Sequence, residues 1–148
     1  MRVTTKGRYA LRAMTRLALE TEGKPIPIKK IAEIEELSPE FLEQIFFRLK
    51  KEGIVDSVRG PGGGFVLRRD PADISAKEIF DAVGEGVMLT PCTSEDDDCE
   101  RKDNCLVREV WEEASEHIAA YFERLSLADV VKKTNGAQAV LKGAGVGV

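Results

Sequence analysis

The chain has 148 residues, 43% of them hydrophobic, and a formal net charge of −4. That length suits one compact domain with an appended element and is too short for two full domains. No apolar run approaches the ~20 residues needed to span a bilayer, and Met1-Arg2-Val3-Thr4-Thr5-Lys6 has no signal-peptide core, so the expectation is a cytoplasmic protein with no membrane partner.

The charge is unevenly spread. Residues 1–70 hold 14 Lys and Arg against 10 Asp and Glu, a net +4, whereas residues 71–148 hold 8 against 16, a net −8. Such asymmetry fits a first half that meets phosphate and a second half with another task. All three cysteines fall within residues 92–105. A secreted disulfide framework would spread an even number along the chain, so this cluster reads as a ligand set or redox site.

Thr4 or Thr5 can cap a first helix whose apolar face is Tyr9, Ala10, Ala13, Met14, Leu17 and Ala18. Gly23 ends it, and Pro25-Ile26-Pro27-Ile28 reads as a short edge strand or extended link. Ile28, Ile31, Ala32 and Ile34 predict a short second helix. Ser38 is a natural N-cap, with Pro39 at the first helical position, for a third helix carrying Phe41, Leu42, Ile45, Phe46 and Leu49 on one face. Gly53 closes it. Residues 54–58 and 65–67 read as strands around the turn Gly60-Pro61-Gly62-Gly63-Gly64.

The expected fold is therefore mainly α with a small β-wing: a winged helix-turn-helix, then a long C-terminal dimerisation helix. Ser75-Ala76-Lys77-Glu78 has capping-box spacing and opens a fourth helix. Residues 1–83 form the expected DNA-binding domain and residues 84–105 a cysteine-bearing sensor loop. Residues 106–134 hold the dimerisation helix, with Leu106, Val110, Trp111, Ala114, Ile118, Tyr121, Phe122 and Leu125 on one side, and a short terminal helix opened by Ser126-Leu127-Ala128-Asp129. That much apolar surface calls for a second copy of the chain, the alternative being that the stripe packs on its own winged head. Residues 135–148 read as a flexible tail.

A helix-turn-helix lays its second helix in the major groove of double-stranded DNA. Here that helix offers Glu40, Glu43, Gln44 and Arg48 outside its apolar stripe. Gln44 can bond adenine twice, and Glu43 can accept from a cytosine amino group. In the wing, Arg59 suits a narrow minor groove, while Gly62 and Gly63 allow close approach of the backbone. Lys6, Arg8, Arg12, Lys50, Lys51, Arg68 and Arg69 would position the duplex through phosphate. A nucleotide-binding glycine loop fails on context, because no strand–loop–helix unit with a Walker lysine surrounds it. Nor is there a nucleophile–base pair or cofactor fingerprint, so an enzyme is not expected.

Met1-Arg2-Val3-Thr4-Thr5-Lys6-Gly7-Arg8-Tyr9-Ala10, Leu42-Glu43-Gln44-Ile45-Phe46 and Val58-Arg59-Gly60-Pro61-Gly62-Gly63-Gly64-Phe65 resemble the IscR/NsrR/CymR family of bacterial winged-helix regulators. The likeness runs through the cysteines to about Val131 and is nearest to the IscR branch. It implies a homodimer binding an imperfect palindrome, with contacts from Glu43, Gln44 and Arg59. Glu40 departs from the small polar residue usual in IscR-like proteins.

Cys92 and Cys99 are separated by six residues, and Cys99 and Cys105 by five, wider than a zinc knuckle. Soft thiolates select iron–sulfur, zinc or copper(I). The resemblance implies an iron–sulfur cluster on Cys92, Cys99 and Cys105, 2Fe–2S favoured and 4Fe–4S the rival. The fourth ligand does not carry over. Arg108 stands where IscR-like proteins place histidine, and Arg8 where NsrR-like proteins use an acid of the other subunit. His117 lies well along the long helix, leaving Glu109, Ser94, the acids Glu95 to Asp98, water or a small thiol. Near a cluster, those acids would lower its reduction potential. The alternative is a winged-helix regulator without a cluster, controlled by thiol oxidation, zinc or a protein partner.

Overall fold

The computed structural model describes residues 3–93 and 99–143. Six α-helices and one hairpin follow in order: α1 (Thr5–Glu20), α2 (Ile28–Glu35), α3 (Pro39–Lys51), β1 (Val55–Val58), β2 (Gly64–Leu67), α4 (Ala76–Ala82), α5 (Arg108–Arg124) and α6 (Leu127–Gly143). Single 3-10 turns lie at Pro71–Asp73 and Pro91–Thr93.

Local chemistry sets the helix starts. The Thr4 hydroxyl accepts from the Gly7 amide, and the Ser38 hydroxyl from the Phe41 amide with Pro39 behind it. Ser75 and Glu78 form a reciprocal capping box. Ser126 and Asp129 do the same for α6, each side chain accepting the other's backbone N–H at 3.0 Å.

The core forms where the apolar faces of α1, α2 and α3 meet. Met14, Leu17, Ile31, Leu42, Ile45, Phe46 and Leu49 are fully buried there. Burial of each such side chain contributes roughly 1.5–3 kcal/mol. Antiparallel β1 and β2 pair Val55 with Leu67 and Val58 with Gly64. The proline-rich link supplies one more rung, since Ile26 and Phe65 exchange both backbone hydrogen bonds, at 2.9 and 2.8 Å. The order helix, strand, helix, helix, strand, turn, strand is thus the winged helix expected from the sequence.

The C-terminal half is stitched back onto this head. Ala76 donates to the Leu125 carbonyl and Leu127 to the Ile74 carbonyl, and Leu127 is fully buried in the head's core. Phe122 of α5 packs edge-on against Phe80 of α4, ring centroids 5.0 Å apart.

Three expectations need correction. Helix α5 starts at Arg108, and Leu106, expected on its apolar side, lies before it almost wholly exposed. Ile34 is exposed rather than part of the α2 core face. The last helix continues through Asn135-Gly136 to Gly143 instead of stopping near 134. Asn-Gly is a strong stop signal, but an isolated glycine inside a helical run costs only about 1 kcal/mol, and no proline follows to end the helix. Residues 144–148 of the expected tail lie outside the described residues.

Partial burial works against ionisation of Glu78, but the Arg69 guanidinium at 2.7 Å and the Ser75 amide outweigh it and hold the carboxyl below the ordinary glutamate range. A depressed folded-state value means stability that is full above the ordinary range and is lost as pH falls through the folded value. Glu78→Gln should therefore lower stability at pH 7 by up to about 1 kcal/mol, since the pair is half-exposed and screened. Chemical denaturation across pH 7 to pH 3 should show that difference shrinking to nothing at the acid end.

Candidate functional site

Two regions collect the residues singled out by the sequence. The first is the outer face of α3 with the wing. Glu40, Glu43, Gln44 and Arg48 are all exposed, because the i, i+3, i+4 spacing of the core stripe turns them outward. Glu40 lies in the first turn, where its own amide and the Ser38 hydroxyl, 3.0 Å away, bond the carboxylate and hold it below its ordinary range. The last turn of α3 carries Arg48, Lys50 and Lys51, so the helix runs from an acidic to a basic end.

The hairpin is fixed to that helix. Phe65 of β2 packs on Phe46 of α3 with centroids 4.9 Å apart, and Lys50 Nζ donates to Ser57 Oγ of β1 at 2.6 Å. Arg59 is exposed at the start of the turn. The Gly63 amide donates to the Gly60 carbonyl, with Pro61 and then Gly62 at φ 74° between them, a type II arrangement. The two glycines named for close approach differ. A side chain on Gly62 would meet open space, whereas one on Gly63 would strike the Val58 and Gly60 carbonyls, so Gly63 is needed to close the turn itself.

Lys6 and Arg48 converge at the end of α4. Arg48 Nη1 donates to the Val83 carbonyl at 3.4 Å, and both cations border Gly84. Positive charge is favourable at a helix C-terminus, so both have a structural role beside any at phosphate. Arg8 is placed elsewhere, bonding Thr5 and lining a cleft between α1 and α6 with Leu11, Val130 and Thr134. Arg12 bonds Glu35.

The second region is the cysteine segment. Its start is tied down twice. Glu85 is buried and accepts from both the amide and the hydroxyl of Thr4, while the Leu89 amide donates to Ser115 Oγ of α5 at 3.1 Å. Cys92 lies on the 3-10 turn, partly exposed and 2.9 Å from the Thr90 hydroxyl. Cys99 is exposed, and Cys105 is partly exposed just before α5. Backbone bonds from Lys102 to Cys99 and from Asn104 to Arg101 curl the chain between them.

The donor set is chemically right for a soft metal centre: three thiols on one surface segment. Among the described residues, however, no group of three or more His, Cys, Asp or Glu is gathered closely enough to hold a metal ion. Ser94 and the acids Glu95 to Asp98 lie outside the described residues. Arg108 bonds Glu112 and the Lys102 carbonyl. His117 is exposed on α5.

The expected dimer stripe is split lengthwise. Phe122 packs on the head, whereas Val110, Trp111 and Tyr121 remain exposed. Sequence reasoning missed Glu85, Ser115 and Phe47. Glu85 and Ser115 carry no signal in a linear reading, because their partners lie 81 and 26 residues away. Phe47 did carry one: it is a large apolar residue off the core stripe of α3, and it is 70% exposed.

Comparison with known proteins agrees with this geometry. Residues 3–133 match the Rrf2 family model, described as an iron-dependent transcriptional regulator. The transcriptional regulator IscR of Xenorhabdus nematophila is 43% identical over 132 residues, covering 89% of this chain and 80% of that protein. The solved IscR of T. potens is 36% identical with a TM-score of 0.77, covering 93% and 91% of the two chains. CymR, the global cysteine regulator of B. subtilis, is 29% identical with a TM-score of 0.75 over 90% and 98%. Among the described residues no helix is long and apolar enough to cross a membrane.

Gly64 has φ 151°, and a side chain there would run into the backbone of Ile26 and Pro27. Gly64→Ala should break the Ile26–Phe65 rung and destabilise the protein by about 2 kcal/mol or more, from backbone strain and overlap together. Urea denaturation measures the loss.

Proposed function

Taking as premise that the chain belongs to the Rrf2 family of transcriptional regulators, we propose that it is a cytoplasmic homodimeric repressor whose operator binding responds to an iron–sulfur cluster on Cys92, Cys99 and Cys105. The observation that carries the DNA-reading part is the attachment of the wing to α3, which leaves Gln44, Glu43, Glu40 and Arg59 accessible on connected elements. With α3 in the major groove, Gln44 and Glu43 face base edges and Arg59 reaches the adjacent minor groove. Lys6, Arg48 and the Gly62 backbone add contacts that position the duplex. The chain is a regulator, not an enzyme, as its relatives are.

The homodimer is supported by Val110, Trp111 and Tyr121, three large apolar residues exposed along α5. A second copy would cover them and set two α3 helices about one duplex turn apart, matching an imperfect palindrome. Sedimentation at micromolar concentration should give a dimer, and Trp111→Glu should weaken it.

The three cysteines would hold the cluster, 2Fe–2S favoured over 4Fe–4S, and a bound cluster supplies a redox- and iron-responsive load on the segment. The chain's own contribution is to anchor that segment at Glu85 and Ser115, so that a cluster on it would be felt at the N-terminus of α1 and along α5. Anaerobic reconstitution should give a coloured protein with iron and acid-labile sulfide, and Cys92→Ala should lose both. A second reading, a regulator without a cluster, is favoured by one observation: the positions that supply the fourth ligand in the related branches are Arg108 and Arg8. Arginine stays protonated and does not ligate. Zinc without sulfide, or thiols without metal, would decide for that reading.

On a duplex selected by the wild-type protein, Arg59→Ala should cost about 1–3 kcal/mol of binding. Fluorescence anisotropy at fixed salt measures it, and equal affinity for both proteins would remove the wing from the interface.

A further inference from the structure

Among the described residues of the DNA-binding head, Phe47 is the most exposed large apolar side chain, at 70%. It sits on α3 one turn beyond Glu43 and Gln44 and one turn before Lys51. The concave surface around it is lined by Glu40, Glu43, Gln44, Arg48, Lys51 and Glu52, with Ala82 its one apolar neighbour. A single phenyl ring ringed by charge is too little apolar area for a protein interface, which needs several hundred square ångströms on each side. Among the described residues it neither joins the apolar core nor packs on another ring.

We propose that Phe47 is a specificity-determining residue that contacts the C5-methyl group of a thymine in the major groove. The inference rests on the reading above that α3 enters that groove. Among base edges, the thymine methyl is the one apolar group presented there. A ring placed between Gln44, which bonds adenine, and the basic last turn of α3, which suits phosphate, is positioned over base edges. Glu40 and Glu43 repel phosphate, so an uncharged contact on the same face adds discrimination without further electrostatic cost.

The test uses the full-length protein. A duplex is first selected from random sequence by the wild type. Each thymine is then replaced singly by deoxyuridine, which removes only the methyl group, and affinity is measured for wild type, Phe47→Ser and Phe47→Leu. One thymine position per half-site should become sensitive: uracil there weakens the wild type about fourfold, the value of one buried CH2-sized group. Phe47→Ser should bind thymine and uracil duplexes equally, whereas Phe47→Leu should keep part of the preference. Thermal melts should match among the three proteins, separating lost contact from lost fold. Equal sensitivity of wild type and Phe47→Ser at every position, or none in the wild type, would overturn the inference while leaving the operator reading intact. Failure to select any sequence would sink that reading itself.

Discussion

The attachment of the hairpin to α3 is the constraint on which the rest depends. A helix and a wing can read one duplex only if their relative position is fixed to within about a side chain. Three contacts fix it here: Phe65 against Phe46, the Lys50–Ser57 hydrogen bond, and the Ile54 amide on the Leu49 carbonyl. The Ile26–Phe65 rung then ties the same residue of the wing to the link between α1 and α2. Phe65 is thus held by its ring on one side and by its backbone on the other. Losing Gly64 or Phe65 would move the wing without touching any group proposed to meet DNA.

The head was legible in the sequence because its signals are local. Ser38-Pro39, the Ser75–Glu78 capping box and the Ser126–Asp129 pair each declare a helix start within four residues, and each forms as read. The glycine-rich turn was equally plain, since a type II turn needs a positive-φ residue after proline. What the sequence did not show depends on distance along the chain. Glu85 reads as one more acid in an acidic stretch, yet it is the buried partner of Thr4. The α5 stripe reads as one face, yet the head takes Phe122 and leaves Val110, Trp111 and Tyr121 to solvent, a division set by where Phe80 lies.

The cysteine segment shows the same limit from the other side. Spacing tells that three thiols share one loop, and thiolate chemistry tells what they would prefer. Neither tells where the thiols stand relative to one another, because residues 99–105 are held by backbone turns and by Arg108 rather than by apolar packing. A core position is dictated by the water it excludes. A ligand position on a surface loop is dictated by its ligand, and so is not written in the hydrophobic pattern.

Charge bears on how an acidic protein could carry two glutamates on the helix proposed to read DNA. Glu40 is ionised near neutral pH as any exposed glutamate is, and Ser38 and the first-turn amide favour that form further, so it would repel phosphate there. Affinity would then come from cations elsewhere: Arg59, Lys51 and Arg48 stand exposed, and Arg48 with Lys6 also borders the end of α4. On the proposed reading the two acids should weaken binding to arbitrary sequence, because that mode rests almost wholly on phosphate neutralisation. The acids cost little only where Glu43 meets a donor on a base edge. A surface of this composition would discriminate by lowering its affinity for every wrong site, more than by raising it for the right one.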